Sequence, residues 1–487
     1  MVRLSRQRGL DFNDVNILPD HTPEGCKVTT VSIDTMLGNL HLNIPLLSAA
    51  MGSVTGYDMA LALGKEGGLG VLPVRMELAD KLEAIASIKS HGVNFVERPV
   101  HAYDSDSLDK VIRLVEQHGH SKIPIVDQNN KFMGMFDMDR YMETSQAKHS
   151  SRVSDYMIGY DDVLRVDNPD ITTTEAKALL DKKGLNYLVV MDEQKHLAKL
   201  FFRRDAEPIP VAAAISSHDG WKDSAIALLR AGADMIVVDS SDSDNDYVKR
   251  LIKAYKKLPE AKERGTPLCI GNVVTYKSAI SLMRWGADIV KIGMATGSIC
   301  TTRKVKGVGR PILTALLAAD KARADYFKTS GRYVPIIADG GVDDTAALNI
   351  ALTISDAVMR GGYFNSFFEA AGEKCDESKK ILNDPVAYED KIRWVVTYGE
   401  GSDYARNLVR YGHDQFKTFC AEGEYGHVEY RGRLKPGVNQ DMKVLRAAMV
   451  NVGAMNLIQY REKAELEEMS EAAKRKTANT HNMVVQK

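Results

Sequence analysis

Residues 276–292 read YKSAISLMRWGADIVKI, a helical pattern followed directly by a strand-like run. Its first ten residues place apolar side chains at helical spacing, and its last residues form the short apolar run of a buried strand. The Gly286-Ala287-Asp288 join between them recurs at Gly232-Ala233-Asp234, and a similar join stands at Ser355-Asp356. Glycine is favoured where a helix ends, because it adopts a left-handed backbone conformation easily. The alternation of helices and strands predicts a parallel sheet.

Units of this kind lie on both sides of a central segment. Before it, an apolar run at 44–51 precedes a helical pattern at 57–65 and a strand at 67–71. After it, strand-like runs separated by helical patterns stand at 210–215, 235–239, 267–272 and 286–291. The count of about eight units predicts an α/β fold, a (β/α)8 TIM barrel, with an open doubly wound sheet as the alternative. No GxGxxG follows a strand, which argues against a Rossmann fold.

The central segment contains an internal repeat. Each copy reads as helix, strand, polar turn and strand, at 107–117, 122–127 and 132–136 and again at 174–182, 188–192 and 197–202. We therefore predict an inserted domain at 97–206 between two barrel parts, 1–96 and 207–487.

The repeat resembles a tandem pair of cystathionine β-synthase (CBS) motifs, a module that often binds adenine or guanine nucleotides. The resemblance would place ribose-binding aspartates at Asp139 and Asp205. The module's glycine and hydroxyl residues are replaced, by Met133 and Phe136 in one copy and by Lys199 and Phe202 in the other. Two roles for the inserted domain stay open: it could bind a nucleotide, or it could be a spacer domain that mediates contacts between subunits.

Composition limits the classes of partner. The chain has 487 residues and a formal net charge of −1, which argues against nucleic-acid or membrane-surface binding through bulk charge. Its five cysteines show no CxxC spacing, which favours free thiols in a reducing cytosol over disulfides or zinc. No apolar run approaches the ~18 residues of a membrane span, and no signal-peptide pattern is present. We expect a cytoplasmic protein without membrane or nucleic-acid partners.

Polar residues directly follow the apolar runs. They are Ser48 and Met51, Asp239-Ser240-Ser241, Asn272, the loop Ser298–Cys300, Asp339-Gly340-Gly341 and Gly361-Gly362. A single aspartate after a strand is most often a helix cap, but the carboxyl ends of barrel strands converge on one mouth. Because these polar residues are all expected at the same end of the barrel, together they favour a binding or catalytic site.

The loop after residue 292 carries Cys300 between small and hydroxyl residues, as GMATGSICTTR over 293–303. A lone loop cysteine is often inert. This loop, however, resembles the Gly-x-Gly-Ser-[Ile/Val]-Cys-x-Thr loop of the inosine 5′-monophosphate dehydrogenase and GMP reductase family. The resemblance covers nearly the whole chain and makes Cys300 the nucleophile that attacks C2 of a purine nucleotide.

The resemblance also implies binding roles. The substrate would be held by Ser298, Asp339, Gly341, Gly361, Gly362, Asn272, Met51, Gly399 and Gly401. The cofactor NAD would be held by Asp239, Ser240, Ser241 and Arg303, and Arg303 is also a candidate to lower the pKa of Cys300.

A stretch rich in glycine and charge at about 395–435 is typical of a mobile loop. It resembles the dehydrogenase flap, in which an arginine-tyrosine pair promotes hydrolysis of the covalent intermediate. The matching residues are Arg410 and Tyr411, with Glu422 and Thr302 as an assisting relay.

Several positions depart from the family pattern. The potassium loop would use Gly293, Gly297 and Cys300, but Ala295 replaces a glycine and Thr477-Ala478-Asn479 replaces the Glu-Gly-Gly of a neighbouring subunit. We therefore expect no metal site and no working monovalent-cation site. The phosphate-binding tyrosine position holds Thr397, the run Met51–Gly56 differs from the common sequence, and Lys291 stands where arginine is frequent.

The first hypothesis is the NAD-dependent oxidation of IMP to XMP, in guanine nucleotide synthesis. The loop Thr301–Lys304 resembles that of the reductase as well as that of some bacterial dehydrogenases, so NADPH-dependent conversion of GMP to IMP and ammonia is an alternative. A nucleotide-sensing paralogue with altered catalysis is a third. Family resemblance implies a homotetramer, with a nucleotide-linked octamer as the larger alternative.

Overall fold

The computed structural model describes residues 8–91, 95–118, 121–138, 140–141, 151–203, 208–218, 220–294, 296–297, 301–405 and 423–478. The chain divides into two compact units. One comprises Met1–Ile88 together with Pro210–Lys487, and the other is Lys89–Ile209. Among the described residues, no helix is long and apolar enough to cross a membrane.

Eight parallel strands close the barrel of the first unit. They are β1 (Leu46–Ser48), β2 (Leu69–Leu72), β3 (Val211–Ile215), β4 (Met235–Asp239), β5 (Leu268–Val273), β6 (Ile289–Ile292), β7 (Ile336–Asp339) and β8 (Ala357–Arg360). Each strand pairs with its neighbours in chain order, and β8 returns to β1 through the Val358–Leu46 register. The predicted barrel is confirmed, and the open sheet is wrong.

The barrel strands are apolar because both of their faces are buried. Their inward side chains fill the interior and include Leu47, Val71, Val237 and Met359. Cys269 also lies in this interior, where burial raises the pKa of its thiol to about 12. A thiol so placed stays protonated and unreactive.

Helices cover the barrel, and two of them end at the glycines of the repeated Gly-Ala-Asp join. Gly232 and Gly286 cap the helices Trp221–Ala231 and Tyr276–Trp285 with φ angles of 105° and 109°, and their N–H groups bond back into the last turn. The other helices of this unit and its border are Tyr57–Lys65, Leu78–Ser90, Asp246–Tyr255, Pro259–Arg264, Thr302–Lys306, Ile312–Ser330, Thr345–Leu352, Gly362–Asn365, Leu434–Asn451, Leu457–Lys463 and Glu471–Ala478.

Among the described residues of the first unit, short strands outside the barrel form three small sheets. Val15–Ile17 pairs with Leu466–Glu468, Thr35–Leu37 pairs with Leu40–Leu42, and Trp394–Tyr398 lies between Lys374–Cys375 and Tyr425–Glu429.

The third small sheet corrects the interpretation of 395–435 as a loop throughout. Both ends of that stretch are antiparallel strands, with Val395 paired to Val428 and Thr397 paired to Gly426. Val395 and Thr397 are buried. Sequence periodicity missed this pairing because Tyr425–Glu429 is not an apolar run and its partner strand Trp394–Tyr398 is far away in the chain.

The second unit contains two copies of one arrangement. In the first, Ala102–Tyr103, Lys122–Val126, Phe132–Asp137 and Ile158–Gly159 form a four-stranded sheet with the helix Leu108–His118. In the second, Arg165–Val166, Tyr187–Met191 and Leu197–Phe202 form a three-stranded sheet with the helix Thr173–Lys183. In each copy the first strand runs parallel to the second, and the third runs antiparallel to it. The internal repeat is therefore present in the fold.

Candidate active site

Four polar side chains from adjacent strands meet at the carboxyl end of the barrel. Asp239 ends β4, Asn272 lies in β5, Lys291 lies in β6 and Asp339 ends β7. Lys291 Nζ donates to Asp239 Oδ1 at 2.9 Å and to Asp339 Oδ2 at 2.5 Å, and it also donates to Asn272 Oδ1. Asn272 Nδ2 donates to the same Asp339 oxygen at 2.8 Å. We call these four residues the strand-end cluster.

Lys291 is the most buried member of the strand-end cluster, with 1% of its side chain exposed. Burial alone lowers the pKa of an ammonium, but the charges of Asp239 and Asp339 outweigh it and raise the pKa of Lys291 above its ordinary value. The lysine is therefore charged at neutral pH. The sequence interpretation treated it only as a replacement for arginine, although a charge inside the apolar run Ile289–Ile292 needs a buried partner.

Asn272 lies where the backbone of β5 is irregular. The register of β5 against β6 shifts between Gly271 and Val273, and the Gly271–Asn272 peptide bond is cis. Asn272 N donates to Ser240 O at 2.6 Å, which joins the ends of β4 and β5. A Cβ added to Gly271 would lie 2.5 Å from Lys291 Cβ, so glycine is required for this close approach.

Glycines also line the loops that follow β6 and β7. A Cβ on Gly293 would lie 2.0 Å from Asp339 O, and one on Gly340 would lie 2.6 Å from Thr296 Oγ1. Thr296 Oγ1 donates to Asp339 O at 3.0 Å. At these contacts the backbones of the two loops touch each other directly. Main-chain atoms therefore form the side of the strand-end cluster near Gly341.

The end of β8 presents further backbone donors. Gly361 packs beside Met51, whose Sδ would lie 3.2 Å from an added Cβ. Within the described part of the chain, the N–H groups of Gly341 and Gly361 make no hydrogen bond. Half-buried N–H groups with no protein acceptor are suited to an anionic ligand.

A carboxylate ties the loop Gly399–Gly401 to the barrel. Glu400 Oε1 accepts from Gly52 N at 2.7 Å, and Glu400 Oε2 lies 2.9 Å from Arg75 Nε. Arg75 also donates to the main-chain oxygen of Glu400. We call Gly52, Arg75 and Glu400 the Glu400 clamp. The sequence interpretation missed it, because nothing local to position 75 or 400 indicates a partner more than 300 residues away.

Beyond Asp239, the site opens to solvent. Ser240 is half-buried and Ser241 is exposed. His218 follows β3 and Tyr247 lies in the helix after β4, and their rings are 6.1 Å apart at an angle of 62°. Tyr247 is 60% exposed, so this pair offers an accessible aromatic surface that the sequence interpretation did not identify.

The remaining predicted residues divide into two groups. Thr302 is buried and Arg303 exposed, both in the helix Thr302–Lys306. Ser298, Cys300, Arg410, Tyr411 and Glu422 lie outside the described residues, as do Asp139, Asp205 and Ala295. Ser402 pairs with Gly423, so the described residues on either side of 406–422 are in contact. Over the described ranges, no group of three or more His, Cys, Asp or Glu could hold a metal ion.

Comparison with known proteins identifies relatives of the whole chain. Residues 9–481 match the family model described as the IMP dehydrogenase / GMP reductase domain. The chain is 30% identical to an inosine-5′-monophosphate dehydrogenase of Methanocaldococcus jannaschii, over 95% of this chain and 92% of the relative. It is 28% identical to the enzyme of that name from Tritrichomonas foetus, over 93% and 92%.

Solved structures support the fold. A GMP reductase from Trypanosoma brucei in complex with guanosine 5′-monophosphate aligns with a TM-score of 0.67 and 23% identity. The alignment covers 99% of each chain.

Proposed function

Since the chain belongs to the IMP dehydrogenase and GMP reductase family, we propose that it oxidises IMP to XMP with NAD, in guanine nucleotide synthesis. Curated relatives bearing the dehydrogenase name support this direction. The observation that carries the proposal is the strand-end cluster, which sets two carboxylates and an amide between backbone donors on one side and an open aromatic surface on the other.

The proposed nucleotide subsite combines Asp339 of the strand-end cluster with the backbone N–H donors beside it. Asp339 Oδ2 is engaged by Lys291 and Asn272, whereas Oδ1 has no partner among the described residues and is suited to the ribose hydroxyls. The phosphate would accept from the N–H groups of Gly341, Gly361 and Gly362 and from the Ser298 hydroxyl. The base would lie beside Met51, Asn272 and the loop Gly399–Gly401.

The residues beyond Asp239 fit a nicotinamide cofactor. Asp239 Oδ2 has no partner in the described part of the chain, and a carboxylate oxygen is an acceptor for the carboxamide N–H groups of nicotinamide. Ser240, Ser241 and Arg303 would add polar contacts, and the His218–Tyr247 pair offers a surface for a base. When bound, NAD supplies the hydride acceptor.

We propose Cys300 as the nucleophile. Its thiolate adds to C2 of the purine, and loss of the C2 hydrogen as hydride to bound NAD would leave the purine attached to Cys300 as a thioimidate. Water then hydrolyses this intermediate to XMP and regenerates the thiol. Arg410, paired with Tyr411, activates that water, and Thr302 with Glu422 forms an assisting relay.

The reductase is the second candidate. The run Thr301-Thr302-Arg303-Lys304 resembles the reductase loop as well as the loop of some bacterial dehydrogenases, and in the reductase Cys300 would displace ammonia from GMP with NADPH as reductant. A nucleotide-sensing role is the third.

Two assays test these functions. The protein is incubated with IMP and NAD, and separately with GMP and NADPH, while the absorbance of the reduced cofactor is followed. We expect a rise in the first and no change in the second, whereas a fall in the second alone would assign the reductase. Absence of both changes, with a nucleotide still raising the melting temperature, would assign the sensor. Cys300→Ala should abolish turnover.

For the second unit we propose a tandem CBS module that binds an adenine or guanine nucleotide, and for the whole chain a homotetramer. Both rest on resemblance. Gel filtration and light scattering with and without ATP or GTP would test them together.

A further inference from the structure

We propose that Lys291 is the positioning residue of this site. It fixes Asp239, Asn272 and Asp339 so that one oxygen of each carboxylate is left for a ligand. The inference rests on the proposed function, because it concerns the same nucleotide and cofactor subsites.

The hydrogen-bonding capacity of Lys291 is fully used inside the protein. An ammonium has three N–H donors, and Lys291 Nζ has three acceptors on three different strands: Asp239 Oδ1, Asn272 Oδ1 and Asp339 Oδ2. No donor is left for a ligand, and the group is fully buried. Lys291 therefore acts through its three partners rather than by touching the substrate.

Lys291 also sets the orientation of Asn272. Because the ammonium is a donor only, it selects the amide oxygen of Asn272 and turns the amide nitrogen towards Asp339 Oδ2. Asp339 Oδ2 then accepts two bonds, which leaves Oδ1 as the oxygen available to the ribose hydroxyls. The same logic applies to Asp239, whose Oδ1 is engaged and whose Oδ2 remains.

Charge strengthens this arrangement. One lysine and two aspartates sum to a net charge of −1 in the cluster. Without the ammonium, two carboxylates would face one another across Asn272, and their repulsion would rotate one of them away or protonate it. Either change removes the acceptor geometry that discriminates in favour of a ribose diol.

A purely structural ion pair is the competing explanation. The barrel is closed by the strand ladders themselves, so the ends of β4 and β7 do not need Lys291 to stay near one another. Replacing a buried ion pair with apolar groups is also often tolerated. A structural role predicts a general loss of affinity, whereas a positioning role predicts a loss specific to the ribose hydroxyls.

The test measures binding of IMP and of 2′,3′-dideoxy-IMP by calorimetry. We expect the wild type to prefer IMP by about 10- to 100-fold, the effect of one charge-assisted hydrogen bond. Lys291→Met should reduce this preference to about 1- to 3-fold. The loss should fall chiefly on the binding of IMP, because the dideoxy analogue makes no hydrogen bond to Asp339. The matched control is Lys256→Met, because Lys256 pairs with Asp288 at the opposite end of the barrel and should leave the preference unchanged.

The outcomes of this test separate a failure of the inference from a failure of the proposed function. A Lys291→Met protein that loses affinity equally for both analogues, or that keeps the wild-type preference, overturns the inference alone. A wild type that binds neither nucleotide overturns the proposed function and the inference with it. If Lys291→Met does not fold, Lys291→Arg keeps the charge but changes donor geometry, and we expect its preference to fall at least about 3-fold. An unchanged preference in Lys291→Arg then overturns the inference.

Discussion

The Glu400 clamp offers a measurable link between packing and substrate affinity. We consider the double-mutant cycle of Arg75→Met and Glu400→Gln. Glutamine keeps an oxygen for the N–H of Gly52 but removes the charge that faces Arg75, and the contact from Arg75 to the main-chain oxygen of Glu400 survives. The cycle therefore isolates one charge-assisted contact.

The burial of the Arg75–Glu400 ion pair sets the expected size of the coupling energy. The side chain of Arg75 is 12% exposed and that of Glu400 is 27% exposed, so the pair is less screened than a surface ion pair. We expect a coupling energy of about 1–2 kcal/mol, against about 0–1 kcal/mol for exposed pairs. Loosening the loop Gly399–Gly401 should also raise the KM for IMP about 3- to 10-fold with little change in kcat.

Urea unfolding of the four proteins gives the coupling energy, and steady-state assays give KM. The control cycle is Arg230→Met with Glu260→Gln, which joins the same residue types at 2.7 Å with Arg230 71% exposed. A coupling energy at Arg75 no larger than at Arg230, or an unchanged KM in Glu400→Gln, would show that the Glu400 clamp does not hold the loop for substrate.

Three further predictions concern single groups. Asp339→Asn should weaken IMP binding about 10- to 100-fold in calorimetry while leaving the fold intact, and wild-type affinity would contradict its ribose role. Buried Asp356 binds Arg323 at 2.7 Å and Arg461 at 3.1 Å. Asp356→Asn should therefore lower the free energy of unfolding by about 3–5 kcal/mol without changing IMP affinity. A loss below about 1 kcal/mol in urea unfolding would contradict this prediction. Burial lowers the pKa of Lys81 to about 8 from 10.5, so the unfolded chain binds more protons above pH 8. Stability should rise by up to about 1.4 kcal/mol per pH unit between pH 8 and 10.5 relative to Lys81→Met, and parallel curves would contradict this.

The barrel could be predicted because its rules are local. The helices Trp221–Ala231 and Tyr276–Trp285 both end in a Gly-Ala-Asp join, and the barrel strands are buried on both faces, so apolar runs and helical periodicity stand out in the sequence. The predicted helix Tyr276–Trp285 has the same bounds in the structure, and the predicted strand 286–291 is displaced only slightly, to Ile289–Ile292.

The parts that sequence reasoning missed depend on contacts between distant residues. Lys291 is 52 residues from Asp239, and Arg75 is 325 residues from Glu400. Strand-end logic placed Asp239, Asn272 and Asp339 at one mouth, and the structure brings them together, but it could not identify the buried cation between them. A charge within an apolar strand was the one local signal of that cation.

The covalent chemistry is tested most directly by mass spectrometry of the slowed enzyme. Arg410→Ala is incubated with IMP and NAD, quenched in acid and digested, because slow hydrolysis should let the bound purine accumulate. We expect one nucleotide attached to the peptide that carries Cys300, and no adduct when Cys300 is also replaced by alanine. Formation of reduced cofactor without any adduct, or an adduct on another cysteine, would contradict it.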